Sequence, residues 1–251
     1  MDMEELYGLL KAKEKDFREN YLAGVTIDCV VFGYYNRELK VLLTSLLGKD
    51  KWMLPGGFVR KDLPLDEAAI AILEERTGVT DIFLQQFKAF GEVDRSEDAF
   101  SDMPEGLWFK ERFVSIGYYS VVSYHEVNPV ADDFSSACEW RSLENLPELM
   151  MDHEHILGDA LLHLRRDLND KPVGMNLLPD KFTMPELQRL YEIILGRKLN
   201  RGNFYRKMLR YGILTKLDET RKGGAHKSPD LYSFDQTAYT NALENGLQES
   251  W

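Results

Sequence analysis

Trp52-Met53-Leu54-Pro55-Gly56-Gly57-Phe58-Val59-Arg60, running on through Leu65-Asp66-Glu67-Ala68-Ala69 and Ile72-Leu73-Glu74-Glu75-Arg76 to Thr77-Gly78-Val79, is the stretch on which the fold turns. Leu65, Ala68, Ala69, Ile72 and Leu73 recur at helical spacing, and Asp66 and Glu67 occupy the first turn, where the helix dipole favours acid. A strand, a tight glycine loop and a helix over 65–76 are therefore expected. Working outward, residues 1–20 read as a short helix with Leu6, Leu9 and Leu10 on one face. Thr26 to Tyr35 is β-branched and aromatic, and Glu38 to Leu46 continues as a second strand after a turn at Asn36. Further strands are expected near 81–91, 112–124 and 136–141, with a helix over 152–166.

The glycine loop and helix resemble the box of the Nudix hydrolases, G-x5-E-x7-R-E-U-x-E-E-x-G-U, which lies on this chain without a gap. Its first glycine falls on Gly57, its aliphatic positions on Leu73 and Val79, and its last glycine on Gly78. The resemblance implies an α/β fold with an α/β/α sandwich. It also implies a helix that projects carboxylates toward magnesium on a diphosphate. Here the acidic positions hold Leu63, Ile72 and Arg76, Ala71 stands where the box has its arginine, and of the carboxylates Glu75 alone remains. Magnesium prefers near-octahedral oxygen ligation, and Glu74 lies about 100° around the helix from Glu75. Hydrolysis is accordingly not expected, no metal ligands or cofactor are assigned, and Glu75 reads as a surface or capping residue.

A chain of 251 residues, 44% hydrophobic and 29% charged, is long enough for one large or two ordinary domains with a sizeable core. No run approaches the ~18 apolar residues of a membrane span, and residues 1–20 are too acidic for a secretory signal. Cys29 and Cys138 in strand-like contexts cannot build a disulfide framework, which fits a cytoplasmic home. The net charge of −11 argues against a nucleic-acid partner until its distribution is read. Between Arg197 and Lys227 ten basic residues face only Asp218 and Glu219, so that segment carries +8 and the remainder −19. A local basic patch on an acidic chain is an electrostatic footprint that the total conceals.

The patch sits on a compact pattern beyond the polar break Asn169-Asp170-Lys171-Pro172. Thr183 with Glu186 forms a capping box ahead of the stripe Leu187, Leu190, Tyr191 and Ile194, and Gly196 stops that helix. Asn200 caps a second helix, 201–211, whose Phe204, Met208 and Leu209 are expected to face inward. Gly212 ends it. Ile213 to Phe234 then reads as a hairpin turning at Lys222-Gly223-Gly224. Helix, turn, basic helix and basic hairpin make a winged helix-turn-helix, whose second helix enters the major groove of DNA. The DNA-contacting candidates are Arg201, Asn203, Tyr205, Arg206, Lys207 and Arg210 on the helix, with Arg221, Lys222, His226 and Lys227 on the wing. Arginine can read guanine and asparagine adenine, while the others hold phosphates. The expected organisation is an N-terminal helix over 1–20, a Nudix-like effector domain over 21–169 and a winged helix over 175–240.

Phe182-Thr183-Met184-Pro185-Glu186-Leu187, Ile194-Leu195-Gly196-Arg197-Lys198-Leu199, Asn203-Phe204-Tyr205-Arg206-Lys207 and Ser228-Pro229-Asp230-Leu231-Tyr232-Ser233-Phe234, in that order, resemble the C-terminal domain of NrtR-type Nudix-related transcriptional regulators. This resemblance, from about Leu22 to Phe234, implies a homodimeric repressor in which an effector controls binding to an inverted-repeat operator. One branch of that family senses ADP-ribose. Another, AraR-like, responds to arabinose. A broken box favours an effector other than a magnesium diphosphate, and the sugar, L-arabinose, is ranked ahead of ADP-ribose. The effector candidates are Asp28, Trp52, Arg60, Asp94, Arg95, Trp108, Arg112, Tyr118, Asp152 and His153. Arg60, Arg95 and Arg112 suit a diphosphate, while the acids and aromatic rings suit sugar hydroxyls and a sugar face. An active hydrolase of nucleoside diphosphate derivatives stands as a further alternative. The extended segment between Arg95 and Arg112 reads equally as a binding lid or a solvated insertion.

Overall fold

The structure, a computed structural model, describes residues 3–46, 50–80, 84–95, 106–125, 127–221 and 228–247. The chain forms two compact units. One comprises Met1–Gly33 with Lys40–Ala160, and the other Tyr34–Leu39 with Leu161–Trp251.

The first unit opens with helix α1 (Met3–Asn20), which runs into the long strand β1 (Tyr21–Tyr35). There follow β2 (Glu38–Leu46), β3 (Trp52–Met53), β4 (Gly56–Arg60), helix α2 (Leu65–Thr77), β5 (Gln85–Phe90), β6 (Val114–Val122), β7 (Ser135–Ser142) and helix α3 (His153–Asp167). The strands form one sheet in the order β3-β2-β1-β6-β5, with β4 also on β1 and β7 also on β2. The β1–β6 pair is parallel; the β4–β1, β7–β2, β3–β2 and β5–β6 pairs are antiparallel. Alternation along β1 sends Ile27, Cys29 and Val31 to one face, where they pack with Ala68, Ala69, Ile72 and Leu73 of α2. Helix α2 ends where Gly78 takes φ +68 and donates its N–H to the Glu74 carbonyl, a left-handed cap that glycine adopts without a Cβ penalty. Between Arg95 and Arg112 the described part includes a short 3-10 turn, Trp108–Lys110, where an extended loop was expected; residues 96–105 lie outside the described residues.

In the second unit β8 (Phe182–Thr183) leads into α4 (Met184–Leu195) and α5 (Arg201–Arg210), followed by β9 (Leu214–Thr220), β10 (Asp230–Phe234) and α6 (Gln236–Asn245). The strands pair antiparallel in the order β8-β10-β9. The capping box is present: Glu186 N–H donates to Thr183 Oγ1 at 3.4 Å and Thr183 N–H to Glu186 Oε2 at 2.7 Å. Gly196 takes φ +67 at the end of α4, and Asn200 caps α5 through the Asn203 N–H at 3.0 Å. Leu187, Leu190 and Ile194 are fully buried, and the Tyr191 and Phe204 rings meet edge-on at 5.3 Å. Leu209, expected inward, is instead 43% exposed. On a helix as short as α5 the inward stripe is narrow, and Phe204 with Met208, one turn apart, already fills it.

Candidate functional site

A cavity of about 160 Å³ opens where the glycine loop meets α2. Its wall holds Gly56, Gly57, Leu63, Ala71, Ile72, Glu75 and Arg76 from the box, together with Phe17 of α1, Phe58 of β4 and Phe113. The glycines are demanded by proximity. A Cβ on Gly56 would stand 2.5 Å from Asp28 Oδ1 and 2.6 Å from the Ile27 carbonyl, and one on Gly57 would touch Ile72. Arg76 is committed: its Nε donates to the Gly56 carbonyl at 2.8 Å, its Nη1 donates to Asp132, and its guanidinium lies over the Phe134 ring. The magnesium that a Nudix box implies is not matched by these residues. Two of its acidic positions, Leu63 and Ile72, are apolar and a third, Arg76, is a bound cation, and among the described residues no group of three His, Cys, Asp or Glu could hold a metal.

Behind one wall lies a buried polar cluster. Arg95, its side chain 1% exposed, donates from Nε and Nη2 to both oxygens of Asp152, at 2.9 and 2.7 Å, and from Nη2 to Asp28 at 3.3 Å. Ser115 Oγ donates to Asp28 at 2.5 Å, and the Arg95 guanidinium sits 5.1 Å from the Phe113 ring centroid. His153 Nδ1 accepts the Leu54 N–H at 2.9 Å, so the neutral ring carries its proton on Nε2, which faces Asp28 Oδ1 at 3.6 Å. Burial holds the His153 pKa below its ordinary value, against the pull of Asp28 and Asp152, so the contact is an N–H facing a carboxylate and not an ion pair. Met151, in the cavity wall just before Asp152, takes φ +52, a conformation that side chains other than glycine rarely hold without support from their surroundings.

Of the residues proposed for effector binding, the structure thus gathers Asp28, Arg95, Asp152 and His153, and places Asp28 and Arg60 in the cavity wall. Arg60 is bound to Asp62 at 2.8 Å with its side chain half exposed. The others lie elsewhere. Tyr118 is fully buried on the α2 side of the sheet and donates its hydroxyl to Asp66 at 2.6 Å. Trp108 is buried and stacked on Phe17, ring centroids 5.4 Å apart. Trp52 carries the Arg141 guanidinium 4.2 Å above its ring. Asp94 is exposed, and exposed Arg112 donates to the Gly91 carbonyl at 3.0 Å. Thr26, Ser115 and Phe58 were not singled out from sequence. Thr26 was findable, because it sits two residues before Asp28 on one strand face.

On α5, Arg201, Asn203, Tyr205, Arg206 and Arg210 are exposed and Lys207 is half-buried with its ammonium 5.5 Å from the Tyr211 ring centroid. Arg206 donates to Asn203 Oδ1 at 2.6 Å, and the Tyr205 and Tyr232 hydroxyls meet at 3.2 Å. Burial, then the Tyr205 contact, pushes the Tyr232 phenol up to about 12. Arg221 is held by Glu186 and by the Lys181 carbonyl, each at 3.0 Å. Lys222, His226 and Lys227 lie outside the described residues.

Residues 25–160 match the NUDIX domain, and residues 174–234 match the NrtR DNA-binding winged helix domain. A Nudix unit followed by a DNA-binding winged helix defines a class of regulator in which a small-molecule fold is joined to an operator-binding one. The chain is 29% identical over 219 residues to the ADPR responsive transcriptional repressor NtrR of Acinetobacter baylyi, covering 84% of this chain and 81% of that one. It is similar in structure to NrtR of Shewanella oneidensis in a crystal structure with a 27mer DNA, at 25% identity and TM-score 0.69, over 89% of this chain and 99% of that one. A likeness of fold alone extends to a MutT/nudix family protein of Enterococcus faecalis, at 18% identity and TM-score 0.64, over 94% and 99% of the two chains. The chain belongs to the NrtR family of Nudix-related transcriptional regulators.

Proposed function

We propose that the protein is a transcriptional repressor whose Nudix unit binds a small effector without hydrolysing it, and that ADP-ribose is the effector. The observation that carries this reading is the cavity at the site of the box, where Leu63 and Ile72 stand at acidic positions, Ala71 at the arginine position, and the last acidic position is the committed guanidinium of Arg76. A pocket of this kind encloses a ligand but has no array of carboxylates to place magnesium on a diphosphate. The preference for ADP-ribose over L-arabinose, which sequence analysis ranked first, rests on the ADPR-responsive relative. It is supported by Arg60 in the cavity wall, and by the positions of Trp52, Trp108 and Tyr118, none of which lines that cavity.

In this reading two copies of the chain present their α5 helices to the half-sites of an inverted repeat. Arg201, Asn203, Arg206 and Arg210 supply the exposed polar face. An effector that releases operator binds the free protein more tightly than the complex by the same factor. The test is fluorescence anisotropy of labelled DNA from upstream of the gene, at stated salt, titrated with protein and then with ADP-ribose or L-arabinose. Release by ADP-ribose, without turnover in the presence of magnesium, and loss of binding in Arg206→Ala are the expected results. Release by arabinose alone would return the reading to a sugar sensor, and steady hydrolysis of ADP-ribose would overturn the non-catalytic assignment.

A further inference from the structure

The turn from α4 into α5 decides how the exposed face of α5 is presented, and its backbone is held from outside the turn. Gly196, Arg197, Lys198 and Leu199 lie between the end of α4 and Asn200, the cap of α5. Gln188 and Glu192 stand four apart on α4, so their side chains share one face of that helix. They converge on Leu199. Its N–H donates to Glu192 Oε1 at 2.9 Å, and its carbonyl accepts from Gln188 Nε2 at 3.0 Å. The same Nε2 donates to Glu192 Oε1 at 3.0 Å and closes the bracket. Both backbone polar groups of one residue are thus held by side chains 7 and 11 positions upstream.

A carboxylate is a costly choice at this place. It stands beside the basic segment that begins at Arg197, where a negative charge opposes the attraction of phosphate. The Leu199 N–H and then the Gln188 amide hold the Glu192 pKa below the ordinary carboxylate value, so the charge persists at neutral pH. Lys198 offers little in return: its ammonium lies 3.6 Å from Glu192 Oε2 on a side chain that is 88% exposed. What the carboxylate secures is the start of α5. Leu199 precedes Arg201 and Asn203, and Gln188 lines the same cavity as Arg201. The first residues of a recognition helix meet base edges, whose directional hydrogen bonds tolerate little displacement, whereas contacts to phosphate orient the protein without reading sequence.

We propose that Glu192, steadied by Gln188, is a positioning residue for operator recognition: by gripping Leu199 it fixes where α5 begins, and so brings Arg201 and Asn203 to base edges in register. This inference rests on reading α5 as the recognition helix and names what sets its selectivity. The bracket governs specificity and not attraction, because its central member is an anion. Losing it loosens the choice of sequence while leaving the general pull of the basic face on DNA intact.

The experiment compares two labelled duplexes of equal length by fluorescence anisotropy of the full-length protein at stated salt. One is enriched from a random pool by the wild type, and the other is its scrambled version. Glu192→Ala should lower the preference for the enriched duplex about tenfold, within the worth of one good base contact, and bind the scrambled duplex at least as well as wild type. Glu192→Gln, whose Oε1 can accept from both the Leu199 N–H and Gln188, should keep the preference of the wild type. An unfolded fraction lowers both affinities by the same factor, so a merely structural role predicts an unchanged preference in Glu192→Ala. That result would overturn the bracket and leave the reading of α5 standing. Equal loss in the Ala and Gln variants would also overturn it, by assigning the effect to charge and not to the grip on Leu199. If the wild type enriches no sequence from the pool, the operator reading falls and the bracket falls with it.

Discussion

Replacing Arg95 by Met separates charge from packing in the buried cluster. Methionine keeps an unbranched stem against Phe113 but removes the cation that gives two hydrogen bonds to Asp152 and one to Asp28. What remains is Asp28 with the Ser115 hydroxyl as its one strong donor, and Asp152 without its bidentate partner. Taking one member from a buried ion pair costs about 3–5 kcal/mol, chiefly because the opposite charge is left desolvated and unpaired. Urea unfolding followed by tryptophan fluorescence suits the measurement, since Trp52, Trp108 and Trp140 of the four tryptophans all lie in the first unit. The expected result for Arg95→Met is a loss within that range. In a double-mutant cycle with Asp152→Asn, the interaction energy should be about 1–3 kcal/mol. A loss below about 1 kcal/mol, together with additive single and double variants, would refute the idea that the cluster is a tightly coupled charge network.

Three further outcomes follow from other contacts. Gly56→Ala places a methyl within 2.6 Å of the Ile27 carbonyl, which cannot swing away, so a drop of about 1–3 kcal/mol and weaker effector binding are expected by thermal melting and calorimetry. Burial keeps His153 neutral in the fold by lowering its pKa, whereas the unfolded ring takes a proton near about pH 6.5. Stability is therefore full above that pH and declines as pH falls from the unfolded pKa toward the folded one, by up to about 1.4 kcal/mol per unit. His153→Asn, whose Oδ1 can take over the Leu54 N–H, should lack this slope; a difference in unfolding free energy from wild type that stays constant across the interval would contradict the assignment. Thr183→Ala removes the hydroxyl half of the capping box and should cost the second unit about 1 kcal/mol by chemical denaturation, with Thr183→Ser recovering most of it.

Elements marked by local chemistry were readable from the sequence. The Thr183–Glu186 box, the stop at Gly196 and the Asn200 cap each depend on residues within a few positions of one another, and each is present. Strands β3 and β8, of two residues each, carry too short an alternation to be seen, and they exist because neighbouring strands supply their partners. Helix α6 was overlooked although Asp235 caps it through the Ala238 N–H at 2.9 Å and Tyr239 and Ala242 are buried one turn apart, a signal that was there to be read. The site was harder. Arg95 meets Asp152 and Asp28 across 57 and 67 positions, and nothing local distinguishes a buried arginine from a surface one. Trp52, Trp108 and Tyr118 looked like ligand-facing aromatics because residue type alone does not reveal which face of a sheet or which side of a loop a ring occupies.

Arg76 ties the last acidic position of the box into the fold. Restoring a carboxylate at that position would withdraw the donor that serves the Gly56 carbonyl and set a second negative charge against Asp132, whose side chain is only 7% exposed. Leu63 and Ile72 would have to become acids as well, and Ala71 an arginine, each introduced into an apolar wall before its fellows arrived. On the proposed non-catalytic reading, each single return to a carboxylate in this wall would cost stability before a set of metal ligands was complete.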